Sequence, residues 1–97
     1  PGPARLPEPV PEAAGLRTTR VVIRFERKGR GGKTVTILEG WDPTDHEDLP
    51  ELASQLRRQL GCGGSEVDHT IELQGDIRRR AAEALQQLGI MATGQLD

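Results

Sequence analysis

Two short alternating runs, residues 20–26 and 34–39, flank the stretch Arg27, Lys28, Gly29, Arg30, Gly31, Gly32 and Lys33, and this arrangement constrains the fold more than any other part of the chain. In the first run Val21, Ile23 and Phe25 fall on one side and Val22, Arg24 and Glu26 on the other, the period of a half-buried strand. Residues 34–39 repeat the pattern, with Val35 and Ile37 expected inward. Joining the two through a glycine-rich segment predicts a β-hairpin whose exposed tip carries Arg27, Lys28, Arg30 and Lys33. A flexible cationic tip suits a polyanion such as RNA; the alternative is a solvated turn that keeps the hairpin soluble.

Turn and helix signals order the rest of the chain. Residues 1–18 hold five of the seven prolines and little that can be buried, so a disordered lead-in is expected there and a single domain over 19–97. After the hairpin, Asp42 and Pro43 end the strand. Trp41, beside that end, is read as a core cap in preference to a stacking platform for a base. Asp48 is expected to N-cap a helix, with Glu51 reaching back in a capping box and Leu49, Leu52, Ala53, Leu56 and Leu60 forming its apolar stripe. Gly61 closes it. A second, shorter hairpin follows, with Val67, Ile71 and Leu73 expected on its buried side and Asp68 and His69 at the bend. Asp76 is then expected to cap a helix striped by Ile77, Ala81, Ala84, Leu85 and Leu88, ended by Gly89 and followed by an edge strand over 90–93. The order β-β-α-β-β-α-β makes this an α+β chain with two helices covering one side of a sheet.

Charge is distributed unevenly. Residues 17–33 hold seven cations against Glu26 alone, whereas residues 39–51 hold six acids and neither Lys nor Arg, a contrast hidden by the net charge of −2. The first segment is therefore the candidate anion-binding face. The acidic segment is the basis of a rival reading, a protein-interaction module docking a basic partner through residues 42–51. Arg57 and Arg58, in the last turn of the first helix, suit its dipole and are also candidates to extend the basic surface.

Several chemistries are poorly supplied. One cysteine provides neither a disulfide framework nor a zinc-ligand pattern, and points to a reducing, cytoplasmic setting; no apolar run is long enough to span a membrane. Residues 29–34 look superficially like a phosphate-binding P-loop, but Arg27 stands where the first glycine belongs and the segment joins two strands. His46 and His69 each neighbour an acid without a nucleophile or an orienting third group, so no enzyme, metal or cofactor is expected. Base stacking on the sheet needs exposed aromatics, and Phe25 is phased inward, which favours contacts through phosphates and shape.

Three segments taken together carry a resemblance: residues 27–36, residues 60–65 (Leu60, Gly61, Cys62, Gly63, Gly64, Ser65) and residues 71–78, which contain Gln74, Gly75, Asp76 and Arg78. Their order and spacing resemble those of translation initiation factor one of eukaryotes and archaea and its bacterial homologues, over roughly residues 20–92. The resemblance implies a two-layer α/β sandwich of the α-β plait type, with a mixed sheet and two helices on one face. It also implies a non-enzymatic, monomeric factor on the small ribosomal subunit near the decoding site, with initiator tRNA and other initiation factors as further partners. On that resemblance Arg27, Lys28, Arg30 and Lys33 would approach ribosomal RNA, Arg57 and Arg58 would add phosphate contacts, and Gly31, Gly32, Gln74, Gly75, Asp76 and Arg78 belong to the signature. The short ending at Asp97 resembles bacterial or archaeal members, whose effect would be on start-codon selection or on repression of initiation.

Overall fold

The computed structural model describes residues 16–28 and 32–96, with the side chain of Lys28 excepted. Expectations for residues 1–15, for Gly29, Arg30 and Gly31 and for the Lys28 side chain fall outside the described residues. Strands β1 (Arg20–Lys28) and β2 (Lys33–Glu39) form the expected antiparallel hairpin, in register Ile23 with Leu38 and Phe25 with Thr36. A 3-10 helix, Pro43–Asp48, leads into α1 (Leu49–Leu60). Strands β3 (Gly64–Val67) and β4 (Thr70–Gln74), α2 (Arg78–Gln87) and β5 (Met91–Gly94) complete the chain.

The sheet runs β3-β4-β2-β1-β5, antiparallel except where β5 lies parallel to β1. Directly paired residues point to the same face, so Ile23, Leu38 and Ile71 form one row and Phe25, Thr36 and Leu73 the next. That face carries both helices: Leu49, Leu52, Leu56 and Leu60 of α1 and Ala81, Ala84 and Leu85 of α2 join Val21, Ile23, Leu38, Ile71 and Leu73 in one buried core. Trp41 is part of it, with its indole Nε1 donating to the Leu38 carbonyl at 2.8 Å, so the core reading of this residue holds.

The register corrects two sequence expectations. Thr36 and Leu38 face the helices, while Val35 and Ile37 lie on the opposite face. Residues 35–38 are all buried, so alternation had no contrast to show which pair faces the helices; the pairing with β1 and β4 decides it. Ile37 is nevertheless only 2% exposed, because opposite it Arg24 bonds Glu26 (2.8 Å) and Glu39 (3.0 Å) and the side-chain stems cover the strand. Val67, expected inward, pairs with Thr70 on that same outer face and is 43% exposed.

Both helix starts also differ from expectation. Asp48 makes no side-chain cap, because the 3-10 helix delivers it already in a helical conformation. Capping moves upstream, where the Asp42 carboxylate accepts from the Thr44 amide at 2.9 Å and its hydroxyl at 2.7 Å. For α2 the N-cap position is Ile77. Asp76 instead binds the Arg78 guanidinium. The helix ends follow expectation: Gly61 is left-handed (φ 68°) and donates to the Arg57 carbonyl, and Gly89 has φ 83°.

Residues 16–18, assigned to the lead-in from sequence, are tied to the domain. The Asp45 carboxylate accepts from the amides of Arg17 (2.8 Å) and Thr18 (2.8 Å) and from the Thr18 hydroxyl, which in turn accepts from the Asp42 amide.

Candidate nucleic-acid interface

The end of β1 and the start of β2, the β4–α2 turn and the last turn of α1 meet at one end of the sheet. Each arrives there by local bonding. Thr36, fully buried, donates its hydroxyl to the Gly75 carbonyl (2.8 Å) and accepts from the Ile77 amide (3.0 Å), while the Gly75 amide donates to Thr34 (2.8 Å). Gly75 has φ 98°, a conformation that allows the chain to leave β4 and turn back over β2. On the other side the Gln74 amide donates to Gly63, and the Arg80 guanidinium caps the Leu60 carbonyl at 2.9 Å. The cation at that carbonyl suits the negative end of the α1 dipole.

Cations from four elements therefore share this end. Arg27 and Lys33 are exposed at the loop end of the hairpin strands and Gly32 is left-handed (φ 71°); the backbones of Lys28 and Lys33 pair directly. Arg57 and Arg58 are exposed in the last turn of α1, with Arg58 donating to the Ser54 hydroxyl at 3.0 Å. The Arg78 guanidinium carbon lies over the Phe25 ring, 4.4 Å from its centroid, and the group grips Asp76 through two bonds of 2.8 and 3.0 Å. That grip holds the Asp76 carboxyl below its usual value, chiefly through the Arg78 side-chain bonds. Arg79 and Arg80 follow it in the first turn of α2, which contains no acid. A shallow depression lined by residues 76–80 and Leu96 opens there.

Arg79 and Arg80 were not among the residues singled out from sequence. The signal was present as three consecutive arginines after Asp76, but only the folded chain brings them beside the hairpin. Arg78 is more enclosed than its neighbours, its side chain 16% exposed, so it builds the surface more than it presents charge. The aromatic side chains, Phe25 beneath Arg78 and Trp41 in the core, leave the outer sheet face without a stacking platform among the described residues.

The acidic 42–51 segment occupies the opposite end. There the 3-10 helix sits beside the β3–β4 turn, whose Asp68 and His69 have positive φ (49° and 65°). His69 Nε2 lies 3.0 Å from the Trp41 carbonyl and 3.1 Å from that of Asp42, so it carries a proton shared between them and staples the turn to the exit of β2. Its ring stacks on His46 at 5.6 Å. Two acids of the 42–51 segment are already engaged internally: Asp42 caps, and Asp45 is 1% exposed. Burial pushes the Asp45 carboxyl up, but the Thr18 hydroxyl and the Arg17 and Thr18 amides outweigh it and hold the group below its usual value. The half-buried Cys62 thiol is pushed up by burial, which disfavours the reactive thiolate. No group of three or more potential ligands gathers for a metal ion among the described residues, and none of their helices is long and apolar enough to cross a membrane.

The family model for translation initiation factor SUI1 matches residues 17–91. The chain is similar to a protein translation factor SUI1 homolog of Methanocaldococcus jannaschii, 52% identical over 65 residues, which are 67% of this chain and 62% of that one. It therefore spans under two thirds of that relative's length. It is also similar to the homolog of Pyrococcus horikoshii, 44% identical over 72% of this chain and 69% of that one, and to that of Methanoregula boonei, 47% identical over 80% and 75%. The matched span takes in the hairpin, the turn after β4 and both helices, and with this identity it shows that the chain belongs to the translation initiation factor SUI1 family.

Proposed function

We propose that this protein acts in translation initiation by binding RNA of the small ribosomal subunit near the P site, with its cationic end as the contact surface. The observation that carries this reading is the meeting of Arg27 and Lys33 with Arg57, Arg58 and the first turn of α2 at one end of the sheet, away from the acidic 3-10 helix. Such a polarised charge distribution favours one docking orientation on a phosphate-rich surface, and an overall pI near 5.7 disfavours indiscriminate coating of nucleic acid. Arg30, between Arg27 and Lys33 in the chain, belongs to the same proposed surface.

The protein works by occupancy in the cytoplasm, as a monomer and without covalent chemistry. Seated beside the P site, the hairpin tip senses or obstructs initiator tRNA placed on an incorrect start codon, and so modulates start-site selection or represses initiation. Other initiation factors on the same subunit are its neighbours.

The test is cosedimentation with isolated small and large ribosomal subunits across a salt series, using the native chain and the Arg27→Ala/Lys33→Ala pair. Saturable binding to the small subunit is expected, with the slope of log K against log salt flattened by about 1 for each phosphate that the variant no longer neutralises. Equal binding to both subunits, or an unchanged slope in the double variant, would overturn the reading.

A further inference from the structure

We propose that Thr36 is a positioning residue for the cationic end: through its one hydroxyl it locks the 74–78 turn, and with it Arg78 and the arginines that follow, against the hairpin that carries Arg27 and Lys33. The inference rests on the RNA-binding reading above and deepens it by making the two cationic arms one pre-organised surface.

The geometry supports a pin, and simple packing would need less. Thr36 is fully buried in the central strand, yet it is the polar member of a row otherwise made of Phe25 and Leu73. Its hydroxyl works in both directions, donating to the Gly75 carbonyl and accepting from the Ile77 amide, the two backbone groups either side of Asp76. Asp76 is thereby held where it can grip Arg78 through two bonds, and Arg78 in turn lies over Phe25, the cross-strand partner of Thr36. The loop closes on itself: hydroxyl, turn, carboxylate, guanidinium, ring and strand. Valine has nearly the same shape as threonine; what it lacks is both hydrogen bonds, leaving the half-buried Gly75 carbonyl and Ile77 amide without this partner.

A pin of this kind acts on affinity without touching RNA. Removing it should cost binding through the ordering of the turn, with the number of phosphates engaged unchanged. Thr36→Val and Thr36→Ser test this, with two readouts. Carbon NMR of the Asp76 carboxyl against pH reports the turn directly: its titration should move up towards the ordinary carboxylate range in Thr36→Val and return in Thr36→Ser. Cosedimentation with small subunits across the salt series should show roughly tenfold weaker binding for Thr36→Val, the equivalent of about one net hydrogen bond, on a line parallel to the native one, with Thr36→Ser restored.

Native Asp76 titration and native affinity in Thr36→Val would overturn the proposal. So would a flattened salt slope, which would make the hydroxyl itself a contact. Should Thr36→Val fail to fold, Arg78→Lys with Thr36 intact breaks the same chain one link later, keeping the charge but losing the paired bonds to Asp76; it should weaken binding on a parallel line, and native affinity there would refute the linkage. If the native chain does not bind small subunits, the proposed function fails, while the Asp76 titration still decides whether Thr36 holds the turn.

Discussion

Replacing Asp45 by alanine should be among the most damaging single changes outside the hydrophobic core. The carboxylate is 1% exposed and accepts from the Arg17 amide, the Thr18 amide and the Thr18 hydroxyl, anchoring the chain's entry to the 3-10 helix. Bonds to a charged acceptor contribute about 1.5–3 kcal/mol each, but they are not additive. The Arg17 residue is exposed, so its amide can turn to water, and the Thr18 hydroxyl can rotate while still accepting from Asp42. The buried Thr18 amide cannot, so the expected loss is about 3 kcal/mol, a large part of the total stability of a small domain. Urea unfolding followed by the fluorescence of Trp41, the single tryptophan, measures it at neutral pH. The pH dependence gives a second check. Because the folded-state value is depressed, the carboxylate's contribution is fully present above the unfolded value of about 3.9 and is lost as pH falls through the folded one. Asp42 and Asp76 are depressed as well, so the informative quantity is the difference between native chain and Asp45→Asn, which should lack one increment of acid sensitivity. A loss below about 1 kcal/mol in Asp45→Ala, or an acid limb unchanged in Asp45→Asn, would refute the anchoring role.

Other expectations follow from the register and the turn. Leu38→Ala, on the helix face and fully buried, should cost about 2–5 kcal/mol, whereas Val67→Ala on the outer face should stay within about 0.5 kcal/mol; equilibrium unfolding of the pair checks the facing of both hairpins. Gly75→Ala forces a side chain into φ 98° and should destabilise by about 1–2 kcal/mol, measured by thermal unfolding, and weaken small-subunit binding beyond that in the cosedimentation series. Trp41→Phe removes the donor to the Leu38 carbonyl and should cost about 1–3 kcal/mol in urea unfolding, with the far-UV circular dichroism unchanged.

Local chemistry was legible in the chain itself. The order of strands and helices, the hairpin around the basic segment, the glycine ends at Gly61 and Gly89, the burial of Trp41 and the resemblance in residues 71–78 all depend on near neighbours and short periods, which a sequence displays directly. Three kinds of fact required the folded chain. The facing of β2 did, because Val35, Thr36, Ile37 and Leu38 fit either side equally well and only pairing with Ile23 and Ile71 breaks the tie. The fates of Asp48, Asp76 and Asp45 did, since the sequence does not tell whether an acid near a helix start caps it, grips an arginine or accepts from amides 27 and 28 residues earlier in the chain. The meeting of cations did as well: Lys33, Arg57 and Arg80 are far apart along the chain, and they share one end of the molecule only because β4 returns beside β2 and the start of α2 caps the end of α1. Periodicity and turn chemistry act over a few residues and belong to the sequence; register, charge clustering and the partners of buried polar groups are long-range, and the tertiary structure alone decides them.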